Sequence, residues 1–230
     1  MKILAFDTCF DGCSVCVAEL RDNSVVALSS RMERFETGHA ERLIPMIGET
    51  MEEARVAFGD LDRIAVTVGP GTFTGTRIGI AAARSLALAT SAPTVGVSSL
   101  AVMAEVAGRT IDAEMLAVVT DARRGEVYAQ LFSGRGGRNA YSEPLLLPID
   151  DAARLGGRGA IVFVGSGAAA VAEAAVRHGR AARAALPDLL PDAVALASIA
   201  AGLEASDAPL APFYLRPPDA KPQDKAIARV

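Results

Sequence analysis

The same order of predicted secondary structure occurs twice along this chain of 230 residues, and that repeat restricts the possible folds more than any other feature. In each half, three strands are followed by a helix, a strand and a second helix. The first half has predicted strands at 3–8, 13–20, 24–31, 63–68 and 94–97, with helices at 39–56 and 77–89. The second half has strands at 115–121, 126–132, 142–147 and 160–164, with helices starting near 150 and spanning 166–178 and 192–204.

This duplicated order predicts an α/β fold of two ribonuclease-H-like domains, each of βββαβα order. Alternation of strands and helices indicates only the α/β class, and the triple-strand opening of both halves makes the prediction more specific. The layout is that of the actin, hexokinase and Hsp70 (ASKHA) superfamily. We expect an N-terminal domain at 1–105, a second domain at 106–215 and a tail at 216–230, which we expect to be poorly ordered from 217 because it is proline-rich and charged.

A glycine-rich junction connects the strand at 63–68 to the helix that follows it. Its sequence, VTVGPGTFTGTRIG, combines a permissive backbone with hydroxyls and free N–H groups, which can bind an anion or a partner at a helix start. It is not a Walker A loop, because Thr76 and Arg77 follow Gly75, and it is not a Rossmann fingerprint, whose third glycine would fall at Thr74. A tight turn without a ligand is an equal alternative.

Asp7 ends the first predicted strand and precedes an Asp-Gly turn at 11–12. In ATP-using members of the superfamily, this hairpin approaches the phosphates and its aspartate acts near the metal. A carboxylate at a strand end can also cap a turn, and we favour that interpretation. The candidate residues for a nucleotide or anion loop are Asp7, Gly12, Gly69, Gly71, Thr72 and Gly75.

The three cysteines, Cys9, Cys13 and Cys16, have the C-x3-C-x2-C spacing that binds the cluster of radical SAM enzymes. Alternation along the second strand places Cys13 and Cys16 on opposite faces of the sheet, which is a poor geometry for ligands of one cluster. We therefore expect buried, reduced thiols.

Composition bears on the partners of the chain. It is 51% hydrophobic and 22% charged, and its net charge of −4 is scattered without a basic block. Unaided binding to nucleic acid is therefore disfavoured. No apolar run is long enough to cross a membrane, and the start MKILAFD does not resemble a secretory signal, so we expect a cytoplasmic protein that contacts no membrane.

Five segments resemble one protein family in the same order. The stretch GPGTFTGTRIG at 69–79 is similar to the GPGSFTGLRIG signature of the TsaB (YeaZ) family, and the resemblance extends from residue 2 to about 222. The other four segments are ILAFDTCFDGCSVCVAE at 3–19, HAERLIPMI at 39–47, DARRGEVYAQLF at 121–132 and APFYLRPPDAKP at 211–222. The resemblance implies the same duplicated fold.

The resemblance also implies a function and partners. The family takes part in making N6-threonylcarbamoyladenosine at position 37 of tRNA, and its members are non-catalytic subunits that hold the catalytic paralogue TsaD in an active arrangement. The implied partners are TsaD and the ATPase TsaE, with a homodimer in isolation and tRNA bound only through the complex. We expect no cofactor on this chain alone, while ATP or ADP at the junction of the complex stays open.

A metal-binding pair of the paralogue is missing from this sequence. TsaD binds its metal through a His-x3-His pair after a strand reading roughly IGVNHLEGH, and the aligned segment here, VGVSSLAVM, has Ser99 and Met103 at those positions. The two histidines present, His39 and His178, have no metal-site spacing. We therefore assign no catalytic residue and no metal site.

Two helices are predicted to bind partners. On the helix at 77–89, small residues recur every four positions and the remaining surface is apolar nearly all round, which favours burial on every side. The resemblance implies that family members pair through this helix and the one at 39–56. Packing of the small stripe against its own sheet is the alternative. The predicted partner-binding residues are Leu43, Ile47, Met51, Gly79, Ala83 and Ala87.

An enzyme of the same superfamily is the alternative function: a small ATP-dependent phosphotransferase, similar to a sugar kinase or acetate kinase. Such an enzyme needs a glycine motif for adenosine in the second half, and VGSG at 164–167 is the only approximation. The charged hairpin at 121–126 can bind a partner or an anion, although a solvated turn with local ion pairs is the more frequent arrangement.

Overall fold

The computed structural model describes residues 1–22, 24–134, 139–205 and 208–216. The tail predicted from 217 onward lies outside the described residues. The first half consists of β1 (Lys2–Asp7), β2 (Cys13–Arg21), β3 (Ser24–Glu33), α1 (His39–Ala54), β4 (Arg63–Gly69), α2 (Phe73–Thr90), β5 (Thr94–Ser98) and α3 (Ser99–Gly108), with a 3₁₀ turn at Phe58–Asp60.

The second half repeats this sequence of elements. It consists of β6 (Met115–Asp121), β7 (Glu126–Ser133), β8 (Asn139–Ala140), β9 (Leu145–Pro148), α4 (Ile149–Ala152), β10 (Ile161–Val164), α5 (Ala168–Arg177), β11 (Ala182–Ala185) and α6 (Ala193–Ala201). The first sheet has the order β3-β2-β1-β4-β5, and the second has β11-β10-β6-β7, with β8 and β9 both paired to β7.

The pairing of the strands confirms the predicted fold class. In both sheets the opening strands pair antiparallel with one another, and the strands that follow a helix are added in parallel on the other side of the first strand. The two sheets therefore have matching strand orders, as expected of duplicated ribonuclease-H-like units in an α/β protein.

The repeating unit is longer than the predicted βββαβα. Each half ends with a further strand and helix, so α3 and β11 are additions to the prediction. The α3 segment, SLAVMAEVAG, follows β5 without a loop and is mostly buried, so it has no polar face to mark it as a helix. The β11 segment, ARAA, has no β-branched or aromatic residue to indicate a strand.

Buried residues connect the two halves through α3 and α6. Helices α1 and α2 cover one face of the first sheet, and α6 packs on its other face. Helix α3 contributes Leu100 and Met103 to a cluster with β6, β7 and β10 of the second sheet, whose outer face is covered by α4 and α5. The predicted boundary at 105/106 stays a prediction, and α3 runs continuously through that point.

Across the parts of the chain that the structure describes, no helix combines the length and apolar character needed to cross a bilayer.

Candidate functional site

The glycine junction is packed tightly against the loop that follows β1. A Cβ atom added to Gly71 or Gly75 would collide with the carbonyl oxygen of Cys9 or Thr8, respectively. The backbone N–H of Thr72 donates to the Cys9 carbonyl oxygen at 2.7 Å, and the Thr8 hydroxyl donates to the Gly75 carbonyl oxygen at 2.7 Å. These glycines are therefore required for a close approach of two backbones.

The N-terminus of α2 has its own cap. The Thr72 hydroxyl oxygen accepts a hydrogen bond from the Gly75 backbone N–H at 3.1 Å, which satisfies one of the free donors at this end of the helix. The helix starts at Phe73, four residues before the predicted start, because this cap lies inside the glycine segment. Anion binding at the loop stays a prediction.

The other two glycines of the proposed loop also lie against backbone. Gly69 has φ of 107°, and a Cβ atom there would lie 2.9 Å from the Phe213 carbonyl oxygen. A Cβ atom on Gly12 would collide with the Glu33 carbonyl oxygen. Both positions therefore exclude a side chain for reasons of packing within the chain.

Asp7 is buried beneath this junction, with 3% of its surface exposed. Its carboxylate accepts hydrogen bonds from the Cys9 backbone N–H at 3.2 Å and from the Thr67 hydroxyl. Burial raises the pKa of the Asp7 carboxyl to about 6, and these two hydrogen bonds only partly offset that increase. The contacts are those of a carboxylate that caps the turn after β1.

Replacing Asp7 with asparagine is expected to stabilise the fold at neutral pH. The folded-state pKa lies above the ordinary value of 3.8, so the folded state binds the proton more tightly and the free energy of unfolding falls as pH rises from about 4 to 6. Asp7→Asn cannot ionise, and we expect a gain of up to about 3 kcal/mol at pH 7.5. The measurement is urea unfolding of both proteins from pH 4 to 8.

The control for this experiment is Asp11→Asn, which removes an exposed carboxylate from the same loop. It should keep the wild-type pH dependence, whereas Asp7→Asn should flatten it. If Asp7→Asn is less stable than the wild type at pH 7.5, the hydrogen bonds to the carboxylate outweigh its burial and the raised pKa of Asp7 is contradicted.

The cysteines have the arrangement that the strand pattern predicts. Cys13 points into the core beneath α1 and α2, whereas Cys16 points into the opposite core beneath α6. All three thiols are free and buried, and burial raises the pKa of the Cys13 and Cys16 thiols to about 12. Within residues 1–22, 24–134, 139–205 and 208–216, no three His, Cys, Asp or Glu side chains converge as metal ligands.

Ser99 and Met103, the positions that the resemblance aligns with the histidine pair of TsaD, are part of the packed interior. Both are fully buried, and the Ser99 hydroxyl donates to the Pro70 carbonyl oxygen at 2.5 Å. Ser99 therefore links the start of α3 to the glycine junction, and Met103 packs in the core between α3 and the second sheet.

The six predicted partner-binding residues lie against the chain's own core, which corrects that prediction. Leu43, Ile47, Met51 and Ala83 are buried in the cluster between the helices and the first sheet, and Ala87 packs against the same cluster. A Cβ atom on Gly79 would lie 2.6 Å from the Thr8 hydroxyl oxygen. The stripe is small because α2 crosses β1 and β4 closely, so the structure selects the alternative of packing against the sheet.

Apolar side chains are exposed on the sides of α1 and α2 that face away from the first sheet. Ile44 on α1 is 55% exposed and Leu88 on α2 is 88% exposed, with the small exposed residues Gly48 and Ala81 on the same two helices. The two helices contact each other, and we call these four exposed residues together the outer helix face. Two apolar residues, Ile44 and Leu88, lie outside the buried stripes of their helices and could have indicated this surface from the sequence.

A cleft of about 590 Å³ lies between the two halves. The Arg77 guanidinium lies 3.5 Å from the centre of the Phe73 ring, and its Nε donates to the Tyr214 hydroxyl at 2.7 Å. The segment at 213–216 forms one wall: Phe213 donates to the Val68 carbonyl oxygen at 2.7 Å. Sequence reasoning did not assign this cleft, because its walls come from segments far apart in the chain.

The charged hairpin at 121–126 and the glycine motif at 164–167 both bind other residues of the same chain. Glu126 forms an ion pair with Arg216 at 2.5 Å. In the segment 164–167, Ser166 Oγ accepts from the Asp121 N–H at 2.9 Å, and the Gly167 N–H donates to the Val119 carbonyl oxygen at 3.1 Å. The motif that approximated an adenosine site therefore packs on the β6–β7 hairpin.

The fold and the site define a class: duplicated ribonuclease-H-like proteins whose first hairpin carries a buried aspartate. The family model described as "TsaD: tRNA N6-adenosine threonylcarbamoyltransferase" matches residues 33–208. The solved structure of YeaZ from Pseudomonas aeruginosa has a TM-score of 0.76 and 32% identity, and the match covers 93% of this chain and 99% of that one. The chain belongs to the TsaB (YeaZ) family.

Relatives of known sequence differ in how much of their length matches. The TsaB protein of Escherichia coli K12 is 38% identical over 128 residues, which are 56% of this chain and 53% of that protein. The uncharacterized protein Rv3421c of Mycobacterium tuberculosis H37Rv is 36% identical over 222 residues, or 96% of this chain and 94% of that protein. The matched segment thus spans about half the length of the curated TsaB relative.

Proposed function

We propose that this chain is a non-catalytic subunit of the complex that makes N6-threonylcarbamoyladenosine at position 37 of tRNA, and that it activates the catalytic subunit TsaD by binding to it. Membership of the TsaB (YeaZ) family supports the pathway. The observation that carries the binding role is the outer helix face, an exposed apolar surface on two neighbouring helices. The ATPase TsaE, a cytoplasmic location and a homodimer in isolation complete the proposal.

The chemistry of the outer helix face supports docking of another helical surface. Ile44 and Leu88 are large apolar side chains that are exposed to water. Their burial against a partner would remove apolar surface from water and so lower the free energy of the complex. Gly48 and Ala81 are small enough for a partner helix to approach closely between them. We propose TsaD as the occupant, and a second copy of this chain when TsaD is absent.

The buried residues of the histidine-pair segment support a division of labour with TsaD. Ser99 and Met103 have no exposed surface, and neither residue offers an imidazole to a metal. In this proposal TsaD supplies the metal and the transfer chemistry, tRNA binds through the complex, and this chain binds no cofactor by itself. ATP or ADP at the junction of the complex is part of the same proposal.

The phosphotransferase alternative has less support. Its metal-binding aspartate would be Asp7, which is buried under the glycine junction and bonded to Cys9 and Thr67. Its adenosine motif would be the segment at 164–167, which packs on the β6–β7 hairpin.

Ala81→Arg is expected to abolish binding to TsaD without unfolding this chain. Ala81 is exposed on α2, so the guanidinium remains in water in the free protein but would be buried without a partner in the complex. We expect the affinity for TsaD to fall by at least about 100-fold, which corresponds to about 2.7 kcal/mol. Co-purification and titration calorimetry with TsaD measure this effect.

The matched control is Ala170→Arg, which makes the same substitution at an exposed alanine of helix α5 in the second half. It should bind TsaD with wild-type affinity. Equal binding by Ala81→Arg and Ala170→Arg, with both proteins folded, would exclude the outer helix face as the TsaD surface.

A further inference from the structure

A local excess of positive charge occurs in the second half of this acidic chain. Between residues 150 and 185 there are five arginines and three carboxylates, although the net charge of the chain is −4. The positive side chains surround the loop after α4 and the end of α5. The five arginines are Arg154, Arg158, Arg177, Arg180 and Arg183, and the carboxylates are Asp150, Asp151 and Glu173.

Four of the basic side chains in this region line one cavity of about 460 Å³: Arg154, Arg158, His178 and Arg180. The remaining wall includes Gly157, which has φ of 80° and no atom within 4 Å of an added Cβ. The cavity therefore combines three arginines with a backbone turn that carries no side chain. It is formed by the second half of the chain, whereas the outer helix face is formed by the first half.

Arg180 holds this cavity in shape. It is 8% exposed, and its guanidinium donates from Nε to the Gly159 carbonyl oxygen at 2.8 Å and from Nη1 to the Leu155 carbonyl oxygen at 2.6 Å. Its Nη2 is buried and has no hydrogen-bond partner among the described residues. The buried guanidinium of Arg180 therefore anchors the loop that carries Arg154 and Arg158.

The nearby carboxylates neutralise this cluster only partly. Asp151 lies 3.3 Å from Arg154 and Asp150 lies 3.5 Å from His178, but these pairs are exposed and therefore weak. Arg158 is exposed and forms no ion pair with any residue that the structure describes.

Helix capping explains only one side of the cluster. A cation at the end of α5 interacts favourably with the C-terminal carbonyl groups of the helix, which accounts for Arg177. Arg154 and Arg158 belong to the loop after α4 on the other side of the cavity, so helix capping does not account for them.

We propose that this cavity is a phosphate-binding site, which holds a backbone phosphate of tRNA in the assembled complex. The assignment to tRNA rests on the proposed function. Arginines match phosphate oxygens through paired N–H donors, and a single such site adds to binding in a complex without giving this chain a strong affinity for RNA by itself. Arg154 and Arg158 would contact the phosphate, and Arg180 would position their loop.

The first arm of the test uses the isolated chain and inorganic phosphate. Amide signals of Gly157 and Gly179 are followed by nuclear magnetic resonance while phosphate is added at constant ionic strength. We expect saturable shifts in the wild type and in Arg21→Glu, and none in Arg158→Glu. Arg21 is an exposed arginine of β2, so Arg21→Glu changes the net charge equally without touching the cavity.

The second arm uses the complex with TsaD and TsaE. Arg158→Glu should assemble normally but bind tRNA about tenfold more weakly, as expected for the loss of one charge-assisted contact. The slope of log affinity against log salt should become shallower by about one unit. Arg21→Glu should match the wild type in both measurements.

The two arms fail in different ways. Phosphate shifts with unchanged tRNA affinity would contradict the tRNA assignment and leave a small phosphate compound as the ligand. Absence of shifts, together with equal tRNA affinity for both variants, would overturn the site itself. If no complex with TsaD forms, the proposed function fails, and the phosphate arm still decides whether the site exists.

Discussion

Ala83→Arg is expected to unfold the chain. Ala83 lies on α2 in the fully buried core between that helix and the first sheet, so an arginine there cannot reach water without displacing the helix. A buried, unpaired charge and the overpacking of a closed core together cost at least about 4 kcal/mol, against a total stability of about 5–15 kcal/mol for an ordinary domain. Circular dichroism and thermal unfolding measure the effect.

Ala81→Arg is the matched control, because the same substitution two residues earlier falls on the exposed side of the same helix. It should unfold at the wild-type temperature. A folded Ala83→Arg protein with wild-type stability would show that the small stripe of α2 faces outward, as the sequence alone first indicated.

Gly75→Ala is expected to destabilise the glycine junction strongly. Alanine normally stabilises a helix relative to glycine, but here the added methyl group would overlap the Thr8 carbonyl oxygen, which belongs to the backbone and cannot rotate away. We expect a loss of about 3 kcal/mol, which lowers the melting temperature of a chain of this size by about 6–12 °C. Differential scanning calorimetry gives this value directly.

Gly48→Ala is the control for that experiment. Gly48 lies in α1 with no atom within 4 Å of an added Cβ, so alanine should stabilise the protein by about 0.5–1 kcal/mol. If Gly75→Ala also stabilises, the junction is not held closely against the loop after β1, and the glycines there are available for a ligand.

The fold class could be predicted from the sequence because hydrophobic strands and glycine turns recur in the same order. Strands such as β1 and β6 are continuous apolar runs that end at an aspartate, Asp7 and Asp121, and each is followed by a hairpin. The two elements that were not predicted, α3 and β11, have no polar face opposite an apolar one. Helix α3 is buried between the sheets and is apolar all round, and β11 is a short alanine-rich edge strand.

The candidate site was predicted less well, for a definite physical reason. A stripe of small residues such as Gly79 and Ala83 shows that something packs closely, but it does not say whether that neighbour is the chain's own sheet or another protein. The contact between Gly79 and Thr8 decides in favour of the sheet, and it joins residues that are 71 positions apart. The basic cavity could not be predicted from the sequence, because Arg154 follows α4 whereas Arg180 follows α5. The two come together only where Arg180 packs against the loop after α4.

The most direct test of the proposed function is a reconstituted tRNA modification assay with TsaD and TsaE. Threonylcarbamoyladenosine in the tRNA is measured by mass spectrometry with this chain present, absent, or replaced by Ala81→Arg or Ala170→Arg. We predict full modification with the wild type and Ala170→Arg, and a loss of modification when the chain is absent or carries Ala81→Arg. Full modification by TsaD and TsaE in the absence of this chain would contradict the account.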